Sequence, residues 1–125
     1  MTKTNSLLII EDDAEFRAIV VRRFERRGYQ VIARDCLEGA LDAAEQNRFD
    51  AVLMDRCLAG RDSLSLVPQL KNLHPEIQFV MLSGRDDRAS VDEALTAGVV
   101  EYLTKPCSLA DMELAIQRAC PALAK

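Results

Sequence analysis

Five short apolar runs punctuate the chain, at residues 7–10, 30–33, 51–54, 79–82 and 99–103. The second is weaker and rich in β-branched residues, and the last is broken by Glu101. Each is too short for a helix, and none alternates cleanly, the pattern of strands buried on both faces of a sheet. Between them apolar residues recur at helical spacing. Over 14–27, Phe16, Ile19, Val20 and Phe24 share a stripe, and Gly28 supplies the stop. Over 37–46 the stripe is Leu37, Ala40, Leu41 and Ala44; over 64–73 it is Leu66, Leu70 and Leu73, closed by Pro75. Over 90–97 it is Val91, Ala94 and Leu95, stopped by Gly98. The last helix opens at Ser108, with Asp111 at capping-box spacing. It buries Leu109, Met112 and Ile116 and ends before Pro121.

Strand and helix thus alternate five times, which predicts an α/β fold: a doubly wound five-stranded parallel sheet with helices on both faces and right-handed crossovers. The 125 residues suit one domain, 1–125, without internal repeats or linkers and with no output domain expected within the chain. Apolar residues at 49% and charged ones at 29% exclude disorder. A net charge of −4 lacks the broad positive field of a nucleic-acid binder, so no direct nucleic-acid binding is expected. No apolar run approaches the ~18 residues of a membrane span, and the opening MTKTNS is not read as a signal peptide. Cys36, Cys57, Cys107 and Cys120 form no CxxC pair, and His74 is the only histidine, so zinc-ligand spacing is absent. A cytoplasmic protein with reduced thiols is the expectation.

Ligand sites in such sheets lie at the carboxyl ends of the strands. Glu11, Asp12 and Asp13 follow the first run, Asp55 the third, Ser83 and Gly84 the fourth, and Thr104, Lys105 and Pro106 the fifth. Clustered carboxylates repel and call for a cation. Hard oxygen donors without thiolate or imidazole favour Mg2+, which prefers to share a phosphate. A lysine and a hydroxyl opposite the metal would neutralise and orient a phosphoryl group, with Asp55 between them as nucleophile. Taken singly these residues have plainer roles: Asp13 as a helix cap, Ser83-Gly84 as a turn, Lys105-Pro106 as a loop.

The blocks LLIIEDDAEFR, AVLMD, VMLSG and EYLTKP resemble the response-regulator receiver domain of two-component signal transduction, over about residues 6–119. The resemblance implies a flavodoxin-like sheet of order 2-1-3-4-5. It makes Asp55 the phosphoacceptor, and Glu11 and Asp12 the acidic pair that binds Mg2+ together with Asp55 and the Cys57 backbone carbonyl. Ser83 becomes the hydroxyl on the phosphoryl group, Lys105 its ammonium, and Tyr102 the switch aromatic; a cis Lys105–Pro106 bond is expected. The implied function is a phosphorelay switch rather than an enzyme. It takes its phosphoryl group from a sensor histidine kinase or a histidine phosphotransfer protein. Its fourth helix, fifth strand and fifth helix form a face for an output domain, a target or a homodimer partner; no membrane is involved. Cys57 and Arg85 would flank the line of hydrolytic attack.

Two other classes fit less well. A magnesium-dependent phosphatase with an aspartyl-phosphate intermediate commonly needs a second aspartate two residues after the nucleophile, where this chain has Cys57. A nucleotide or flavin binder needs a Gly-, Ser- or Thr-rich first loop, where this chain has Glu11-Asp12-Asp13. The chain also departs from the family, reading Leu58-Ala59-Gly60-Arg61-Asp62-Ser63 where a proline and a second glycine are usual. Gly60 is expected to make the tight turn there. Pro68 requires the third helix to begin late, near Ser65. Arg56 is expected to face solvent or a partner. Arg22, Arg23, Arg26 and Arg27 read as a solvated face or an acidic-partner dock. His74 reads as a helix-end residue without a phosphotransfer role, and Cys57 and Cys107 as small packing residues.

Overall fold

A computed structural model describes residues 5–121. Strands β1 (Ser6–Ile10), β2 (Gln30–Arg34), β3 (Ala51–Asp55), β4 (Gln78–Ser83) and β5 (Val99–Thr104) form one parallel sheet of order 2-1-3-4-5. Helices α1 (Ala14–Arg26), α2 (Leu37–Gln46), α3 (Leu66–Leu73), α4 (Arg88–Ala97) and α5 (Leu109–Ala119) cover both faces.

Side-chain alternation splits the core in two. Leu7, Ile9 and Leu53 pack under Val20 and Phe24 of α1 and Met112 and Ile116 of α5. Leu8, Ile10, Val52 and Met54 pack under α2, α3 and α4 through Ala40, Leu70 and Ala94. The central β3 is buried along its whole length, which is why its run is unbroken, while the edge strand β2 is only half-buried and reads weakest. Phe24 and Phe79 are the largest fully buried side chains, and each contributes about 2–3 kcal/mol by its burial.

Register brings the strand ends level. Ile10 pairs with Met54, Asp55 with Leu82, and Ser83 with Thr104, so Glu11, Asp55, Ser83 and Lys105 emerge on one rim.

Four local features refine the expectations. Ile19 is 51% exposed, so the buried stripe of α1 narrows to Val20 and Phe24. Helix α4 starts at Arg88, before its first apolar residue, because Asp87 caps it by accepting from the Ser90 amide. A 3-10 turn at Ser63–Ser65 precedes α3, and Pro68 lies in the first turn of α3, where no helical donor is lost. Between β3 and that turn, Cys57–Leu58 and Arg61–Asp62 form a two-residue antiparallel hairpin. Its corner, Ala59 and Gly60, has φ of 51° and 80°, the pair of positive values that a tight right-twisted hairpin requires.

The basic stretch of α1 is partly internal: Arg23 and Arg27 both pair with Glu113 of α5, while Arg22 and Arg26 are exposed. His74 ends α3, and its Nε2 donates to the Ala44 carbonyl of α2 at 2.7 Å. No described helix is long and apolar enough to cross a membrane.

Candidate phosphoryl and metal site

Asp55 closes β3 and is buried. Its Oδ1 accepts from the Cys57 amide at 3.1 Å, and its Oδ2 is held by the Lys105 ammonium in a close ion pair. Lys105 follows β5, and its amide donates to the Ser83 carbonyl at 2.7 Å, which anchors the lysine to β4. Burial alone would lower the Lys105 pKa, but the carboxylates of Asp55, Glu11 and Asp12 together raise the value, Asp55 most of the three. The Lys105–Pro106 bond is cis, as the resemblance implied.

Glu11 is 4% exposed at the end of β1. Its Oε2 accepts from the Asp13 amide at 3.1 Å, whereas Oε1 is buried without any hydrogen-bond partner and sits 4.0 Å from the Lys105 ammonium. Burial and the neighbouring Asp55 carboxylate push its pKa up to about 7. Burial is the larger of these two causes. Asp12 is exposed, and its Oδ2 accepts from the Ala59 amide at 2.8 Å, a bond that lowers its pKa. One oxygen from each of Glu11, Asp12 and Asp55 lies within 4.8 Å of the others. An all-oxygen set containing an orphaned buried oxygen fits a hard divalent cation. Asp13, by contrast, caps α1 by accepting from the Phe16 amide.

Two cavities flank Asp55. One, of about 660 Å³, is lined by Glu11, Asp12 and Lys105 and walled by Phe16, Leu82 and Met112. The other, of about 330 Å³, is lined by Arg56, Cys57, Ser83 and Arg85. Ser83 is buried at the end of β4, and its Oγ accepts from the Arg85 amide at 3.1 Å. Tyr102 is half-buried on β5, packs against the core beneath α2–α4, and donates its hydroxyl to the Arg85 carbonyl at 2.7 Å. Cys57 opens the hairpin with its thiol exposed, and Arg85 is also exposed. Glu11, Asp12, Asp55, Cys57, Ser83, Arg85 and Lys105, the site residues expected from the sequence, therefore line the two cavities at one end of the sheet, with Tyr102 bonded to Arg85 beside them.

Arg56 departs from expectation. Only 6% exposed, it contacts Asp62, Glu93 and the Ser90 carbonyl rather than solvent. Burial opposes its charge, but Glu93, Asp62 and Tyr102 together raise its pKa above the ordinary value. Ser63, which stands where the family has its second glycine, is also buried. Its Oγ donates to the Asp55 carbonyl at 2.7 Å and its amide to the Arg56 carbonyl at 2.7 Å. Neither role was legible in the sequence, since the partners of Arg56 on α4 lie 34 and 37 residues away.

The family model "Response regulator receiver domain" matches residues 7–117. The transcriptional activator protein PfeR of Pseudomonas aeruginosa is 37% identical over 111 residues, covering 86% of this chain and 35% of that protein. Response regulator MprA of a Mycobacterium species is 34% identical over 114 residues, covering 90% of this chain and 49% of that protein. The chain thus spans half or less of these curated relatives. Among solved structures, a Burkholderia pseudomallei response regulator with a phosphorylated aspartic acid, calcium ion and citrate superposes with a TM-score of 0.85 at 30% identity, covering 96% of this chain and 71% of that one. A CheY-like receiver domain from Methanospirillum hungatei superposes at 0.88 with 22% identity, a likeness of fold, covering 98% of both chains.

Proposed function

The chain belongs to the response-regulator receiver domain family of two-component systems, and from that premise we propose that Asp55 is its phosphoacceptor. The observation that carries this reading is the Asp55 carboxylate, buried at the end of the central strand, paired with the Lys105 ammonium and clustered with the Glu11 and Asp12 carboxylates. A carboxylate oxygen of Asp55 attacks the phosphorus of a phosphohistidine on a sensor histidine kinase or histidine phosphotransfer protein. The N–P bond breaks, an O–P bond forms, and the imidazole leaves with the electron pair.

Glu11, Asp12 and Asp55, with the Cys57 carbonyl, would hold Mg2+, which supplies neutralisation of phosphoryl charge. Lys105 orients the Asp55 carboxylate and pairs with a phosphoryl oxygen; the Ser83 hydroxyl donates to another. Drawing Ser83 toward the phosphoryl group breaks its bond to the Arg85 amide. Because the Arg85 carbonyl also holds the Tyr102 hydroxyl, the Arg85 backbone links the two switch residues. The change is read at the α4–β5–α5 face, where Leu95, Val100 and Leu114 are exposed. That face meets an output domain, a target protein or a second copy. In this reading the domain works in the cytoplasm as a switch, its chemistry limited to accepting and losing the phosphoryl group.

Intact-mass measurement after treatment with acetyl phosphate and Mg2+ tests the reading. One gain of ~80 Da is expected, absent without Mg2+ and absent from Asp55→Asn. A gain that persists in Asp55→Asn contradicts it.

A further inference from the structure

Arg56 has no part in that chemistry, yet it is bonded to the phosphoacceptor along the chain and buried beside it. Its backbone is fixed at both ends: the amide donates to the Leu82 carbonyl of β4 at 2.8 Å, and the carbonyl accepts from the Ser63 amide. Its guanidinium leaves this anchorage and grips another element. Nη1 donates to the Ser90 carbonyl at 2.9 Å, and Nη2 forms a close ion pair with Glu93, so two points one turn apart on α4 are held. Nε and Nη2 lie 3.4 Å from the Asp62 carboxylate of the hairpin.

A buried guanidinium is costly to leave unpaired, so it resists any shift of α4 that would remove a partner. Its carboxylate partners are different. Asp62 and Glu93 are more than half exposed, and water replaces the arginine for either at small cost. Arg56 also lines the same 330 Å³ cavity as Asp55 and Ser83. A phosphoryl group on Asp55 brings a charge of about −2 into that cavity, where it competes with Glu93 for the guanidinium.

We propose that Arg56 is a positioning residue that ties the state of Asp55 to the N-terminal half of α4. The proposal rests on Asp55 being the phosphoacceptor. Unmodified, the arginine clamps α4 through Ser90 and Glu93; phosphorylation draws it from Glu93 and loosens the helix.

Amide hydrogen exchange of α4 peptides in the full chain tests this. Exchange is measured before and after acetyl phosphate and Mg2+, with the adduct verified by intact mass in the same samples. Wild-type α4 should exchange about fivefold faster once phosphorylated. In Arg56→Met, α4 should already be fast, and phosphorylation should change it by less than about twofold. Glu93→Gln, which keeps an acceptor but loses the charge, should fall between; its carboxylate is exposed, so it carries the test should Arg56→Met not fold. Loss of an arginine with a merely structural role would speed α4 equally in both states and preserve the wild-type ratio. That ratio persisting in either variant, or a wild-type adduct without any change in α4, overturns the proposal alone. No adduct on the wild type overturns the phosphoacceptor reading and the proposal with it.

Discussion

Glu11 carries a buried carboxylate oxygen with no donor, so its anion is disfavoured until a cation arrives. Its folded pKa of about 7 stands above the ordinary glutamate value of 4.5. Below pH ~4.5 both states are protonated; between ~4.5 and ~7 only the unfolded chain ionises. The stability of the metal-free protein should therefore fall as pH rises through that window, by roughly 3 kcal/mol in all. Urea unfolding of wild type against Glu11→Gln isolates this slope, and Mg2+ should flatten it; equal slopes without metal would contradict it. Cys57 and exposed Arg85 line one cavity with Asp55, and in the proposed chemistry they would flank the line of hydrolytic attack, where Arg85 is long enough to lie over a phosphoryl group. Arg85→Ala should lose the adduct about tenfold faster, or ~1.4 kcal/mol of barrier. Equal lifetimes would make Arg85 a bystander. Asp55, Ser83 and Lys105 were legible because each follows an apolar run. Arg56 was not, because a single arginine in a loop shows nothing of the distant helix that buries it.

The hairpin after β3 and the link from β4 to β5 are where this chain's elements make their own arrangements. Ala59 sits at φ 51°, a region that costs a side-chain-bearing residue about 1–2 kcal/mol, while its amide holds Asp12. Ala59→Gly relieves that strain at the expense of a more flexible unfolded chain, so a net gain of about 0.5–1 kcal/mol in urea unfolding is expected. A loss of stability would show that the corner is not strained. For the second link, Ser83→Ala should still accept a phosphoryl group but leave Tyr102 unresponsive, with its ring resonances the same in both states. A full wild-type shift would place the coupling elsewhere. The late start of α3 followed from Pro68, a residue whose ring forbids a helix interior. The early start of α4 did not: its opening residues, Arg88 to Ser90, add no large apolar side chain to the stripe, and hydrophobic periodicity is blind to a turn held by the Asp87 cap.

Across the whole molecule, layer order and sheet topology were readable because both faces of the sheet are covered, which forces unbroken apolar runs in the three inner strands; the partly buried edge strands read as a weak run (β2) and one broken by Glu101 (β5). Level strand ends then brought the polar residues that follow four of the five apolar runs into one site, so short patterns in four places located the chemistry. Hidden were the side-chain ties between elements distant in sequence, such as Arg56 to α4 and Glu113 to α1, since each depends on where a long side chain finds its partner. The central claim is that the phosphoryl group forms an acyl phosphate on Asp55 and on no other carboxylate of the cluster. Borohydride reduction tests it most directly: hydride reduces the acyl carbonyl, phosphate leaves, and the phosphorylated aspartate becomes homoserine. Peptide sequencing by mass spectrometry after acetyl phosphate, Mg2+ and borohydride should find homoserine at position 55 alone. A reduced residue at position 11 or 12 instead, or an adduct that borohydride leaves untouched, would contradict the account.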